Sequence, residues 1–190
     1  ARAGLKTVVV SNGTVREEPL RDLCAHLAAY KVDLKAFSER TYREHCSGER
    51  EPVLATLRRL AKAKVWTEVV VLLIPGLNDS AAEVRALARF VRDEVGRETP
   101  VHFTRFHPTY RLTNLPPTPV ATLERARGVA IAEGLPFAYV GNVPGHPGES
   151  TYCPGCGTTL VRRVGMATVA NRLAKGACPD CGRAIPGVWS

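Results

Sequence analysis

No stretch of the 190 residues approaches the roughly 20 consecutive apolar residues of a membrane-spanning helix, so no membrane role is expected. The opening run Ala1-Arg2-Ala3-Gly4-Leu5-Lys6 lacks the charged, apolar and small-residue zones of a secretory leader. No Gly-x-Gly-x-x-Gly follows any apolar run, so the phosphate-cradling turn of a dinucleotide-binding fold is missing. Acidic residues are scarce, 18 against 26 Lys and Arg, which leaves a formal net charge of +8. The cations are spread along amphipathic stretches, as at Arg58-Arg59 and at Arg125 with Arg127, so a solvated surface is the expectation and nucleic acid is not the favoured partner. What is present suits a globular chain: 45% hydrophobic residues suffice for a real core. Six cysteines, four of them in close pairs, point to a reducing, cytoplasmic setting rather than a disulfide-stapled secreted domain.

Those pairs are Cys153-Pro154-Gly155-Cys156 and Cys178-Pro179-Asp180-Cys181. Two intervening residues let both thiolates of a knuckle face one tetrahedral ion, and Gly157 and Gly182 permit the turn that follows. Four thiolates leave no open coordination position, so the expectation is a structural zinc ribbon over residues 149–190; iron satisfies the same ligand set. Residues 151–190 carry five basic side chains, Arg162, Arg163, Arg172, Lys175 and Arg183, against Asp180 alone. A four-thiolate zinc centre of about −2 offsets part of that charge, and no interleaved aromatics accompany it. Cys24 and Cys46 fall in helix-like stretches and read as packing thiols.

The first 148 residues follow a different rhythm. Short β-branched runs, Thr7 to Val10, Tyr30 to Leu34, Trp66 to Ile74, Val101 to Phe106 and Phe137 to Val140, alternate with helical patterns, the form of parallel βα units. Helix starts are signposted by Glu18-Pro19, Glu51-Pro52, Thr118-Pro119 and a Ser80 to Glu83 capping box. Each run ends in polar or glycine residues: Ser11-Asn12-Gly13, Asp33 and Lys35, Pro75-Gly76 with Asn78-Asp79, Arg105 with His107, and Gly141-Asn142. Carboxyl ends of parallel strands form the ligand face, so these tips make the candidate site, although turns also favour such residues. Five strands are too few for the eight-stranded barrel, and Ala1 to Lys6 reads as a helix tail stopped at Gly4. The expectation is a partial TIM-like barrel, its C-terminal half, whose opening units precede this chain; an open doubly wound sheet is the competitor.

Several strings resemble a known family. Val10-Ser11-Asn12-Gly13, Val32-Asp33-Leu34-Lys35, Ile74-Pro75-Gly76-Leu77-Asn78-Asp79 and Arg105-Phe106-His107-Pro108 resemble the later strands of radical S-adenosylmethionine (SAM) enzymes of the pyruvate formate-lyase activase type. Leu115 to Pro119, Gly141 to His146 and the trailing Ile185 to Trp189 are similar to the radical SAM enzyme of the AmmeMemoRadiSam system. The resemblance implies a 4Fe-4S cluster that reductively cleaves S-adenosylmethionine to a 5′-deoxyadenosyl radical for hydrogen abstraction. It implies that Asp33 and Lys35 contact the methionine or ribose portion, that His107 approaches the nucleoside, and that Ser11 and Asn12 lie on another cofactor-contacting turn. Strand alternation independently puts Asp33 and Lys35 on one face, although an inward salt pair would look the same. The implied partners are the other AmmeMemo-system proteins, with a protein or partner-held substrate. The family's Cys-x-x-x-Cys-x-x-Cys and its glycine- and glutamate-containing motif have no counterpart here, so the chain alone is expected to be inactive. Two other readings stand beside this one: a Schiff-base enzyme using Lys35, and a zinc-ribbon adaptor for protein or nucleic acid. His102 and His146 have no evident partner in the sequence and read as structural.

Overall fold

The computed structural model describes residues 4–189. Five strands, β1 (Val8–Ser11), β2 (Ala29–Asp33), β3 (Trp66–Leu73), β4 (Val101–Arg105) and β5 (Ala138–Gly141), form one parallel sheet in the order in which they occur along the chain. Each expected apolar run is therefore a strand. A doubly wound sheet reverses its strand order at a switch point and covers both faces with helices. Here every crossover steps to the next strand, and right-handed crossovers of that kind put the helices on one face. The competing architecture is excluded on that ground, and of the partial-barrel expectation the α/β class, a parallel sheet of five strands followed by a four-cysteine C-terminal segment, holds.

Period-two burial shows the same one-sided cover. Thr67, Val69, Val71 and Leu73 of β3 are buried, whereas the intervening Trp66, Glu68, Val70 and Leu72 are half-buried. The inward set packs on α1 (Glu17–Cys24), α3 (Glu51–Lys62), α4 (Ala81–Phe90) and α5 (Val120–Ala132), with α2 (Glu39–Cys46) lying beyond the tip of β2. Leu57, Leu60, Phe103 and Leu123 at the centre of this packing are each 0% exposed. Burial of such side chains contributes about 1.5–3 kcal/mol apiece and drives the layering.

The helix starts partly differ from expectation. Pro52 sits at the second position of α3, but Pro19 is the third residue of α1, where its missing N–H still costs no helical bond. Thr118 does not cap α5. Its hydroxyl is fully buried, donates to Leu73 O at 2.6 Å and accepts from Phe106 N–H at 3.1 Å, so it clamps the ends of β3 and β4. Ser80 caps α4 as expected, but Glu83 does not complete the box, since its Oε1 accepts from Phe37 and Ser38 N–H at 2.7 and 3.0 Å. That carboxylate ties α4 to the segment after β2. Gly4 to Lys6 are not helical, although Gly4 has a φ of +72°; the rest of the expected helix tail, residues 1–3, lies outside the described residues.

After β5 a short 3-10 turn (Pro147–Glu149) leads into the antiparallel sheet β6 (Thr151–Tyr152), β7 (Thr159–Val164) and β8 (Ala167–Asn171). The ribbon shares a second apolar cluster with the large sheet: Phe137 and Tyr139 pack with Cys153, Leu160, Val161, Cys178 and Ile185. The tail folds back as well. A Cβ on Gly176 or Gly187 would stand 2.6 Å from the Trp189 ring, so both glycines cut the seat in which that indole lies.

Candidate functional site

The ribbon's two knuckles repeat one backbone pattern. Cys153 N–H donates to Thr158 O and Gly157 N–H to Cys153 O; Cys178 N–H donates to Arg183 O and Gly182 N–H to Cys178 O. Gly157 and Gly182 have φ of +77° and +73°, the left-handed conformation a residue with a side chain resists. All four sulfurs lie within 4.8 Å of one another, with Cys153 to Cys181 at 3.5 Å and Cys156 to Cys178 at 3.6 Å. A tetrahedron with metal–sulfur bonds of about 2.3 Å has sulfur–sulfur edges of about 3.8 Å, so the cage fits a thiolate-bound ion. Cys153 and Cys178 are buried, whereas Cys156 and Cys181 are exposed. Thr158 N–H, then its hydroxyl, lowers the Cys156 thiol to about 6. At Cys181 the Arg183 N–H also lowers, but the neighbouring Cys153 and Cys156 push the thiol up to about 12. Sulfurs this close resist a second negative charge, and a bound cation removes that conflict.

A different cavity, of about 370 Å³, opens at the carboxyl ends of β1, β2 and β3. Asn12 and Lys35 line it together with Tyr42, Cys46, Leu72 and Asn78. Asp33 is outside the lining but pairs with it, its Oδ2 accepting from Lys35 Nζ at 2.8 Å. Asn78 is buried and spends its amide on backbone: Nδ2 donates to Lys35 O at 2.7 Å and Leu72 O at 2.8 Å, and Oδ1 accepts from Ile74 N–H at 2.7 Å. It thereby locks the tip of β3 to that of β2. Tyr42 OH accepts from Lys35 N–H at 3.1 Å, and burial pushes its phenol up to about 12.

Of the other predicted residues, Ser11 and His107 lie outside this lining, whereas Asn12 borders it from a turn. Ser11 Oγ accepts from Gly13 N–H at 3.1 Å, and Asn12 Oδ1 accepts from Thr14 N–H at 3.0 Å, so this tip is a side-chain-stabilised turn. His107 is exposed on the loop after β4 and does not line the cavity. Cys24 and Cys46 end α1 and α2, and burial raises both thiols; Cys24 packs against the core as expected, whereas Cys46 is exposed and lines the cavity instead.

Both unassigned histidines have carboxylate partners. His146 Nδ1 accepts from Gly148 N–H at 2.9 Å, and its Nε2 lies 3.1 Å from Glu124 Oε1. His102 Nε2 lies 2.9 Å from Glu68 Oε2, while the Trp66 indole donates to Glu68 Oε1 at 3.2 Å. Burial raises the Glu68 carboxyl, but the hydrogen bond and charge of His102, the Trp66 indole and the Arg163 charge outweigh it and hold the carboxyl below its usual range. The His102 ring stacks on Tyr139, centroids 4.9 Å apart and 17° from parallel. Sequence reading missed this cluster. Its signal was an acid in β3 and a histidine in β4, both on the half-buried phase of otherwise apolar strands.

No protein-family model matches the chain. An uncharacterized protein of Methanocaldococcus jannaschii is 45% identical over 184 residues, which cover 96% of this chain and 54% of that protein, so the chain spans about half the length of this curated relative. Among solved structures, a domain of a pyruvate-formate lyase-activating enzyme from Bacteroides vulgatus superposes with a TM-score of 0.66 at 18% identity, over 74% of this chain and 84% of that one. A radical SAM methyltransferase from Sphaerobacter thermophilus gives a TM-score of 0.55 at 18% identity, over 75% of this chain and 43% of its own. Streptococcus suis SuiB, solved with S-adenosylmethionine, gives 0.53 at 11% identity, over 67% and 29%. At such identities the likeness is one of fold. Among the described residues no helix is long and apolar enough to cross a membrane.

Proposed function

We propose that the chain is the S-adenosylmethionine-facing portion of a radical SAM enzyme, of the AmmeMemoRadiSam type. The observation that carries this reading is the Asp33–Lys35 pair, set beside a cavity that Asn12 and Lys35 line at the carboxyl ends of the strands, in a fold shared with radical SAM structures. S-adenosylmethionine, bound beside a reduced 4Fe-4S cluster, supplies a 5′-deoxyadenosyl radical for hydrogen abstraction. This chain's residues bind and orient. The Lys35 ammonium carries three donors for the cofactor's carboxylate, and Asp33 accepts from its amine or a ribose hydroxyl. Asn78 holds both tips in register, and Leu72, Ile74 and Leu77 give the cavity an apolar side. Asn12 lines one wall, with Ser11 beside it in the same turn, and His107 would approach the nucleoside from outside the cavity lining.

The six cysteines do not follow the family's three-cysteine spacing, and four of them are gathered in the ribbon, so this chain offers no seat for the cluster. Zinc fits the ribbon cage as a structural ion, and iron meets the same ligands. A protein substrate, or one held by AmmeMemo-system partners, accompanies the reading. A Schiff-base lysine is disfavoured, because Lys35 Nζ is committed to Asp33 at 2.8 Å.

Calorimetric titration of S-adenosylmethionine into the chain tests the proposal. Saturable binding that weakens about tenfold or more in Lys35→Met and in Asp33→Asn is expected. Absence of binding, or equal binding by both variants, would overturn it.

A further inference from the structure

A second cavity, larger than the one beside Lys35, reaches the tip of β5 at Gly141 and Asn142. About 570 Å³ lies between the open face of the sheet and the ribbon, within the range of small-molecule sites, and it shares no lining residue with the cavity beside Lys35. Its apolar lining includes Trp66, Met166, Ile185 and Trp189; its polar lining includes Glu68, His102, Tyr139 and Arg163, with Asn142, Thr151 and Glu149, the last engaged through Oε2 by Gly145 and Gly165 N–H.

The polar wall keeps hydrogen-bonding groups that its own contacts do not use. Both Glu68 oxygens are engaged, by Trp66 and by His102. An ionised carboxylate only accepts, so His102 Nε2 donates to Glu68, and with the ring in its neutral form Nδ1 is then left as an acceptor. Among the described residues nothing donates to that Nδ1. Tyr139 OH is taken by Thr151 Oγ1 at 3.1 Å. Arg163 uses one nitrogen, Nη1, on Thr151 Oγ1 at 2.8 Å and Glu149 O at 3.3 Å, which leaves Nε and Nη2 as donors. The wall is also planar: His102 stacks on Tyr139, and the guanidinium lies 6.0 Å from the Tyr139 centroid.

We propose that this compartment binds a flat nitrogen heterocycle bearing a carbonyl or carboxylate oxygen, with His102 Nδ1 accepting its ring N–H and Arg163 donating to its oxygen. A flat body extends the run of stacked groups and packs on the indoles. The spare acceptor and donors then read an edge with the opposite pattern. The site is independent of the S-adenosylmethionine reading, because it uses none of the residues assigned there.

The chain has two tryptophans, Trp66 and Trp189, and both line this cavity, so intrinsic fluorescence reports its occupancy. Uracil, orotate and cyclohexanecarboxylate are titrated into the zinc-loaded chain, with correction for probe absorption. Expected are saturable quenching by both heterocycles, tighter for orotate, and none by cyclohexanecarboxylate. His102→Phe keeps the stack on Tyr139 but removes Nδ1, and it weakens both heterocycles about tenfold. Arg163→Gln weakens orotate by at least about tenfold, since a charge-assisted contact is lost. The proposal fails if neither heterocycle saturates, if cyclohexanecarboxylate binds as tightly, or if either variant retains wild-type affinity for orotate.

Discussion

The buried Glu149 carboxylate accepts from Gly165 N–H at 3.1 Å, and the same oxygen, Oε2, accepts from Gly145 N–H at 2.9 Å. Gly165 belongs to the ribbon hairpin and Gly145 to the loop after β5, so one side chain fastens the ribbon to the sheet's ligand end. Glu149→Gln lets one side-chain donor oppose these backbone donors, and a destabilisation of about 1–3 kcal/mol is expected in denaturant melts. Faster amide exchange at both glycines should accompany it; unchanged exchange would show that the carboxylate is not the fastener.

An ion held by the four-cysteine cage is expected to be required for the ribbon's fold. Chelation, or Cys178→Ser, should unfold residues 151–189 while the five-stranded sheet persists, because the larger core contains none of the ribbon's residues. Metal content by mass spectrometry, read beside hydrogen exchange, separates this from global unfolding. Loss of protection in β2 and β3 on chelation would contradict it.

Gly13 turns the chain off β1 with a φ of +77°, and a Cβ there would lie 2.9 Å from Cγ1 of both Val32 and Val53. Gly13→Ala therefore combines backbone strain with overpacking, and a loss of about 1–3 kcal/mol is expected in thermal or urea unfolding. A neutral substitution would mean that β1 can shift outward.

Glu68 gives stability a defined pH dependence. Its folded-state pKa lies below the ordinary 4.5, so its contribution is complete above that value and is lost as pH falls through the depressed one. Unfolding free energies of wild type and Glu68→Gln, measured from pH 7 down to about pH 3, should differ most at neutral pH and converge on acidification. A constant gap would place the effect in packing rather than in the charge.

The sheet was legible because its strands are short β-branched apolar runs alternating with capped helical patterns, and because strand tips need turn residues. The knuckles were legible because metal geometry fixes their spacing. Thr118 and Glu83 read as caps because local patterns suggest local partners; their actual partners, Leu73 O and Phe37 N–H, are 45 and 46 residues away. Glu68 and His102 escaped for the same reason, being brought together across 34 residues by the pairing of β3 with β4. The resemblance grouped His107 with Lys35, whereas the structure leaves it exposed and off the cavity lining.

Each knuckle of the ribbon keeps one sulfur inside, Cys153 and Cys178, and one outside, Cys156 and Cys181. A chelator or a competing thiophilic ion arriving from solvent therefore meets one ligand from each half of the cage, never both from the same half. Exchange would begin by loosening the two halves together, with the inner pair of sulfurs still gripping the departing ion.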